Sequence, residues 1–301
     1  ALSPSSDFQA QNPRWLAYDM GNAYAPGFWS LNAYDNSYSL HFTKHGESYY
    51  TTPTVPQLEL RKAYEVTSSS HRDSLYISAF PHPDGSYDIT GTYPQRVEKL
   101  RIRGALPNPP LFVAHHLQEV LKAQGIATQG EARVVPTTPA ESQLLYTYQS
   151  APLRTLVQTT LHYSHNLFAE GLLRQLTWGK TPLPGQNATQ TAVNEVHRYW
   201  TNRGINTREL EMMDGSGLSP ENRVSAYFLA TMLGKVHRAD PSGSFQSLLP
   251  RAGMEGTLVQ FLKGTPLQGK ARLKSGTLRN VVCYAGYVEV GGKTYTVALM
   301  V

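Results

Sequence analysis

"LHYSHNLFAEGLLRQL", residues 161–176, sets three polar side chains, Ser164, His165 and Asn166, at the head of an apolar run. Leu167, Phe168, Leu172, Leu173 and Leu176 recur at roughly helical spacing, which predicts a helix with one buried face. A serine at such a boundary has an ordinary use as an N-cap. A capping box would pair it with Glu or Gln three residues on, and that position holds Leu167. Positions i and i+2 of a helix do not share a face. Ser164 and Asn166 therefore read as polar groups aimed into a cleft, with capping as the alternative.

Downstream, "KARLKSGTL" at 270–278 reads as a strand that ends in Lys274, Ser275, Gly276 and Thr277. Such a run presents an ammonium, two hydroxyls and open backbone along a strand edge, a combination suited to an anion such as a peptide's terminal carboxylate. Ser-x-Asn and Lys-Ser/Thr-Gly are two of the three motifs shared by penicillin-binding proteins and serine β-lactamases. Either alone is weak. Together, in this order, on a helix head and a strand, they predict two facing walls of one cleft. On that reading Ser164 Oγ should lie roughly 3 to 6 Å from the Lys274 ammonium.

Around these motifs the chain changes character. Its first hundred residues are β-prone, as in "YSLHF", where Tyr38, Leu40 and Phe42 alternate, and in "SLYISAF" and "SYDITGTYP". After "PNPP" helical spacing takes over. Val113, Leu117, Val120 and Leu121 form one stripe, with Gly125 as a stop. A domain boundary is expected near 106–110, dividing 1–106 from 107–301. Helices are expected around 151–161, 189–204 and 225–237. In the closing stretch Gly291 and Gly292 join two apolar runs as a two-residue hairpin.

The bulk numbers are those of a folded chain of 301 residues, 40% hydrophobic, with 24 Gly and 20 Pro. A net charge of +5 with the basic residues dispersed argues against a nucleic-acid arm. The single cysteine, Cys283, excludes an internal disulfide framework and reads as a small core residue. No apolar run is long enough for a transmembrane helix, and the N-terminus has no signal-peptide pattern. Metal-site spacing is absent, and adjacent His115 and His116 would diverge on a helix. No metal or organic cofactor is expected. "GGKT" at 291–294 lacks the upstream glycine of a phosphate loop, since position 287 is Tyr287.

Longer stretches narrow the resemblance. "GALPNPPLFVAHHLQEVLKAQGI", "SAPLRTLVQTTLHYSHNLFAEGLL", "MMDGSGLSPENRVS", "LLPRAGMEGTL" and "KARLKSGTLRNVVCYAGYV" run from 104 to 288. In that order they resemble the D-alanyl-D-alanine carboxypeptidase/endopeptidase family, the class C low-molecular-mass penicillin-binding proteins. "WLAYDMGNAYAPG" is similar to the inserted domain of Bacteroidetes-type members. The resemblance implies an α+β fold: a penicillin-binding-protein/β-lactamase-like transpeptidase domain, an antiparallel sheet with helices, plus a β-rich inserted accessory domain. It implies acyl transfer on peptidoglycan stem peptides ending in D-Ala-D-Ala, binding of β-lactam antibiotics, and a periplasmic or cell-envelope location. It also implies roles. Ser164 relays a proton to the leaving amine, and Asn166 binds the substrate amide and the motif lysine. Lys274 supplies positive potential, Ser275 and Thr277 hold the carboxylate, and Gly276 admits the substrate backbone. The "DGSG" cluster, Asp214, Gly215, Ser216 and Gly217, reads as a structural turn with a catalytic part as the alternative.

One departure is serious. The family's nucleophile and base lie in Ser-x-x-Lys, and no lysine of this chain has serine three residues before it. The chain alone is therefore expected to be inactive. Either it is a fragment whose nucleophile lies upstream, or it is a relative that binds wall peptides without turnover. A chain that stops inside an apolar strand favours the fragment.

Overall fold

The computed structural model describes residues 10–69, 72–135, 141, 143–180 and 186–301. They form two compact units, Ala1–Leu144 and Leu145–Val301, of mixed α+β composition.

The first unit opens with the short helix α1 (Ala17–Met20) and is built on two three-stranded sheets. In one, β1 (Ser37–Thr43) lies between β2 (Ser48–Thr52) and β6 (Leu100–Ala105), antiparallel to both. In the other, β5 (Tyr87–Pro94) pairs in parallel with β3 (Leu60–Thr67) and antiparallel with β4 (Tyr76–Ile77). The alternation expected at Tyr38, Leu40 and Phe42 is present, and all three point into the core with Ile77, Ile89 and Tyr93. Phe42 meets Tyr93 edge-on at 5.6 Å between ring centroids, a favoured aromatic geometry.

Helix α2 (Pro109–Ala123) starts at Asn108, whose side chain accepts from Leu111 N–H at 3.1 Å, with Pro109 in the first turn. Phe112 inserts into the core of this first unit, whereas the sequence reading ended the unit near 106–110. Of the expected stripe, Val113 packs against this core, whereas Leu117 and Val120 remain 55% and 45% exposed.

In the second unit, β7 (Leu210–Glu211) and β8 (Arg223–Val224) form a short antiparallel pair, and β9 (Ala271–Leu278), β10 (Val281–Val290) and β11 (Lys293–Met300) form an antiparallel sheet ordered β11-β10-β9. Gly291 and Gly292 join β10 to β11 with φ of 57° and 72°. Two consecutive positive values are what a type I′ turn requires, and the turn pairs Val290 with Lys293. Helix α6 (Ala226–Ala239) is capped by Ser225, which accepts from Phe228 N–H at 2.9 Å. The Tyr287 hydroxyl ties the sheet to α6 by donating to Leu233 O at 3.0 Å. Helices α3 (Leu153–Tyr163), α4 (Asn166–Gln175) and α5 (Ala188–Thr201) complete the unit, with Leu173, Ala192 and Val193 forming the α4–α5 core. No helix among the described residues is long and apolar enough to cross a membrane.

Candidate active site

The run at 161–176 is two helices, not one. α3 ends at Ser164, whose backbone is left-handed with φ 54° and ψ 51°. The N-cap of α4 is His165, its ring Nδ1 accepting from Phe168 N–H at 3.4 Å and its face stacked on Phe168. Ser164 is thus the hinge between helices, and its side chain is not used as the cap. A non-glycine residue in this region is sterically disfavoured and persists where surrounding structure holds it.

Lys274 on β9 donates to Ser164 Oγ at 2.9 Å and to the carbonyl of Ser275. The first distance lies at the short edge of the expected range. Burial pulls the Lys274 ammonium down from its ordinary 10.5 to about 8. Thr257 Oγ1 stands 2.8 Å from Ser275 Oγ. Ser164, Asn166, Lys274, Ser275, Gly276 and Thr277 all line one cleft of about 570 Å³, together with Asp214, Gly215, Ser216 and Gly217. Cys283, expected in the core, is half-buried instead. It lies opposite Gly276 in the β9–β10 register and lines the same cleft.

The register also settles where the β9 backbone points. On the side away from β10, Ala271 O accepts from Ala252 N–H at 2.8 Å and Leu273 N–H donates to Pro250 O at 3.2 Å. Backbone groups of an antiparallel strand alternate sides, so those of Ser275 and Thr277 face the same way, away from β10 and beyond the 250–252 cover. Gly276 has ordinary extended backbone, and the nearest atom to a Cβ built there is Cys283 Cβ at 3.9 Å.

The third wall is the turn at 214–217. Asp214 is 1% exposed. Its carboxylate accepts from Gly217 N–H at 2.7 Å, Ser219 N–H at 2.7 Å and Asn222 Nδ2 at 2.9 Å. Three donors from its own loop make it the organiser of the turn. Glu170 on α4 holds this loop to the helix: its Oε1 accepts from Gly215 N–H and Ser216 N–H, both at 2.9 Å. Burial pushes the Glu170 carboxyl above its ordinary value. Gly215 sits so close that an added Cβ would be 2.5 Å from Ala169 O. Glu170 was not singled out from sequence, and Asn222 entered only as part of the family-like stretch "MMDGSGLSPENRVS". The spacing of Leu167, Glu170, Gly171 and Arg174 does hold a signal, because it puts a carboxylate on a buried helix face, where a charged group needs partners. Among the described residues no cluster of three His, Cys, Asp or Glu is placed to hold a metal ion.

The chain as a whole has counterparts among known proteins. The model of the D-Ala-D-Ala carboxypeptidase 3 (S13) family matches residues 5–301. The chain belongs to that family. Among its curated relatives, a D-alanyl-D-alanine carboxypeptidase from an Actinomadura species is 26% identical over 230 residues, 74% of this chain and 42% of the relative. The carboxypeptidase DacB of Haemophilus influenzae is 24% identical over 225 residues, 74% of this chain and 46% of the relative. The chain thus spans less than half the length of these two curated relatives. The crystal structure of penicillin binding protein 4 (dacB) from Haemophilus influenzae superposes with a TM-score of 0.82 at 20% identity, over 99% of this chain and 66% of that one. The S13 chain therefore has the penicillin-binding-protein fold.

Proposed function

We propose that these residues supply three walls of a serine-type D-Ala-D-Ala carboxypeptidase site acting on peptidoglycan stem peptides. The observation that carries this reading is the 2.9 Å hydrogen bond from Lys274 to Ser164, which joins the Ser-x-Asn and Lys-Ser-Gly-Thr motifs across one cleft.

The substrate's terminal carboxylate lies against Ser275 and Thr277, drawn by the Lys274 charge. Its backbone runs along the free edge of β9 beside Gly276, where no side chain intervenes. The outward Thr277 N–H forms half of an oxyanion hole, a kind of contact worth about 3 to 4 kcal/mol in acyl transfer. The nucleophilic serine attacks the carbonyl of the penultimate residue and D-Ala leaves as the amine. Water then hydrolyses the acyl-enzyme. Ser164 passes a proton to the departing amine, with Lys274 as its partner. Asn166 binds the substrate amide and the lysine of Ser-x-x-Lys. Asp214 and Glu170 act only by shaping the third wall. β-Lactams react at the same serine, and a wall substrate places the enzyme in the periplasm or cell envelope.

Ser-x-x-Lys is not among the 301 residues, which sets the test. A longer polypeptide carrying these residues together with a Ser-x-x-Lys element should be labelled covalently by fluorescent penicillin and should release D-Ala from a D-Ala-D-Ala peptide. The 301 residues alone should do neither. Labelling of the 301-residue chain would identify a different nucleophile. A longer, folded polypeptide that neither labels nor turns over would favour binding of wall peptides without catalysis.

A further inference from the structure

One short turn bridges the two motif-bearing walls. Gly256 has φ 52°, and a Cβ there would stand 2.2 Å from the carbonyl oxygen of His162, two residues before Ser164. The glycine lets the turn lie directly on the end of α3. Next to it Leu258 is fully buried and accepts from Gly253 N–H at 2.8 Å. On the other flank Arg251 Nε donates to Glu255 Oε1 at 2.8 Å. Thr257 is held between these anchors and reaches the opposite wall, its Oγ1 2.8 Å from Ser275 Oγ.

A hydroxyl carries one proton and two lone pairs. Two hydroxyls in contact share one hydrogen bond, so one is donor and the other acceptor. When Thr257 donates, the Ser275 proton is left free and turned away from Thr257, toward the cleft. When Ser275 donates, its proton is spent on Thr257. An anion in the cleft favours the first arrangement, because it accepts the freed proton in a charge-assisted hydrogen bond.

We infer that Thr257 is a positioning residue for carboxylate recognition: its hydroxyl donates to Ser275 Oγ and aims the Ser275 proton at the terminal carboxylate of the ligand. The turn at 255–258 fixes the geometry because it is anchored on the Ser164 wall at Gly256. This rests on the carboxylate-receiving role proposed above for the β9 edge.

The test uses the 301-residue chain and calorimetric titration of two probes, an N-acetylated peptide ending in D-Ala-D-Ala and the same peptide with a terminal carboxamide. Thr257→Val keeps the side-chain shape and deletes the hydroxyl. It should reduce the preference for carboxylate over carboxamide by about threefold to tenfold, the range for one net hydrogen bond, and Thr257→Ser should restore it. In a Ser275→Ala background Thr257→Val should have no further effect, the mark of action through Ser275. A purely structural role would weaken both probes alike and leave the preference unchanged, which overturns the inference. Lys274→Ala separates the two levels. If it lowers carboxylate binding while Thr257→Val leaves the preference intact, only the Thr257 inference fails. If Lys274→Ala has no effect, or the unsubstituted chain binds neither probe, the substrate reading fails and the inference with it.

Discussion

Lys274 meets opposing demands. Desolvation holds its folded value near 8 against an ordinary 10.5. The unfolded chain therefore binds the additional proton between those values, and stability rises with pH across that window. Lys274→Met should abolish this rise in urea-unfolding experiments run from pH 7 to 10.5. At pH 7 it should raise stability by up to about 3 kcal/mol, while carboxylate binding is lost. In the unsubstituted chain, affinity for a D-Ala-D-Ala peptide should fall as pH rises through about 8, since the ammonium is neutralised, and titrations at several pH values would show it. Asp214 behaves differently. Asp214→Ala strands three donors in a buried turn and should cost about 3 kcal/mol, measured as a lower denaturation midpoint. The residue types at Ser164, Asn166 and 274–277 were legible in the sequence because their chemistry is unusual at a helix head and a strand end. The left-handed backbone of Ser164 was not, because a serine at a helix boundary fits a cap equally well until the two helices are seen to part there.

Among the elements, those specified by local chemistry were the easiest to read. β1 follows from its alternation, the β10–β11 hairpin from two adjacent glycines, and α5 from Ala192 and Val193 on one face. The parallel pairing of β3 with β5 depends on contacts between strands distant in sequence, and no local signal encodes it. The apolar residues of α2 show the limit of periodicity: of one stripe, Val113 packs against the core while Leu117 and Val120 do not. The spacing on α4 signals a buried carboxylate but not its partner, since the α4–turn contact depends on Gly215 approaching Ala169 O. Gly215→Ala should force the turn away from α4 and disrupt the two hydrogen bonds to Glu170. The expected readout is a fall in thermal midpoint with a larger fall in peptide affinity, because the displaced turn is a wall of the cleft.

For the whole molecule, the two units account for why the β-rich and α-then-β halves of the sequence differ in character. Their division falls after Leu144, next to a stretch with no regular structure in which Leu145, Tyr146 and Tyr148 are 90%, 80% and 80% exposed. Brief chymotrypsin treatment should cut first after Tyr146 or Tyr148, with fragment masses identifying the site; first cuts inside β1 or β10 would contradict the division. The free half of the β9 edge has a consequence of another kind. Unpaired strand edges are templates on which identical chains add strand by strand, and an inward-turned charge is one of the devices that prevents it. Lys274 places a cation at this stretch of edge. Neutralising it would remove the guard while leaving a flat run of Ser, Gly and Thr backbone, so that concentrated solutions of Lys274 variants should cloud and bind thioflavin sooner than the parent chain, even though each molecule is more stable.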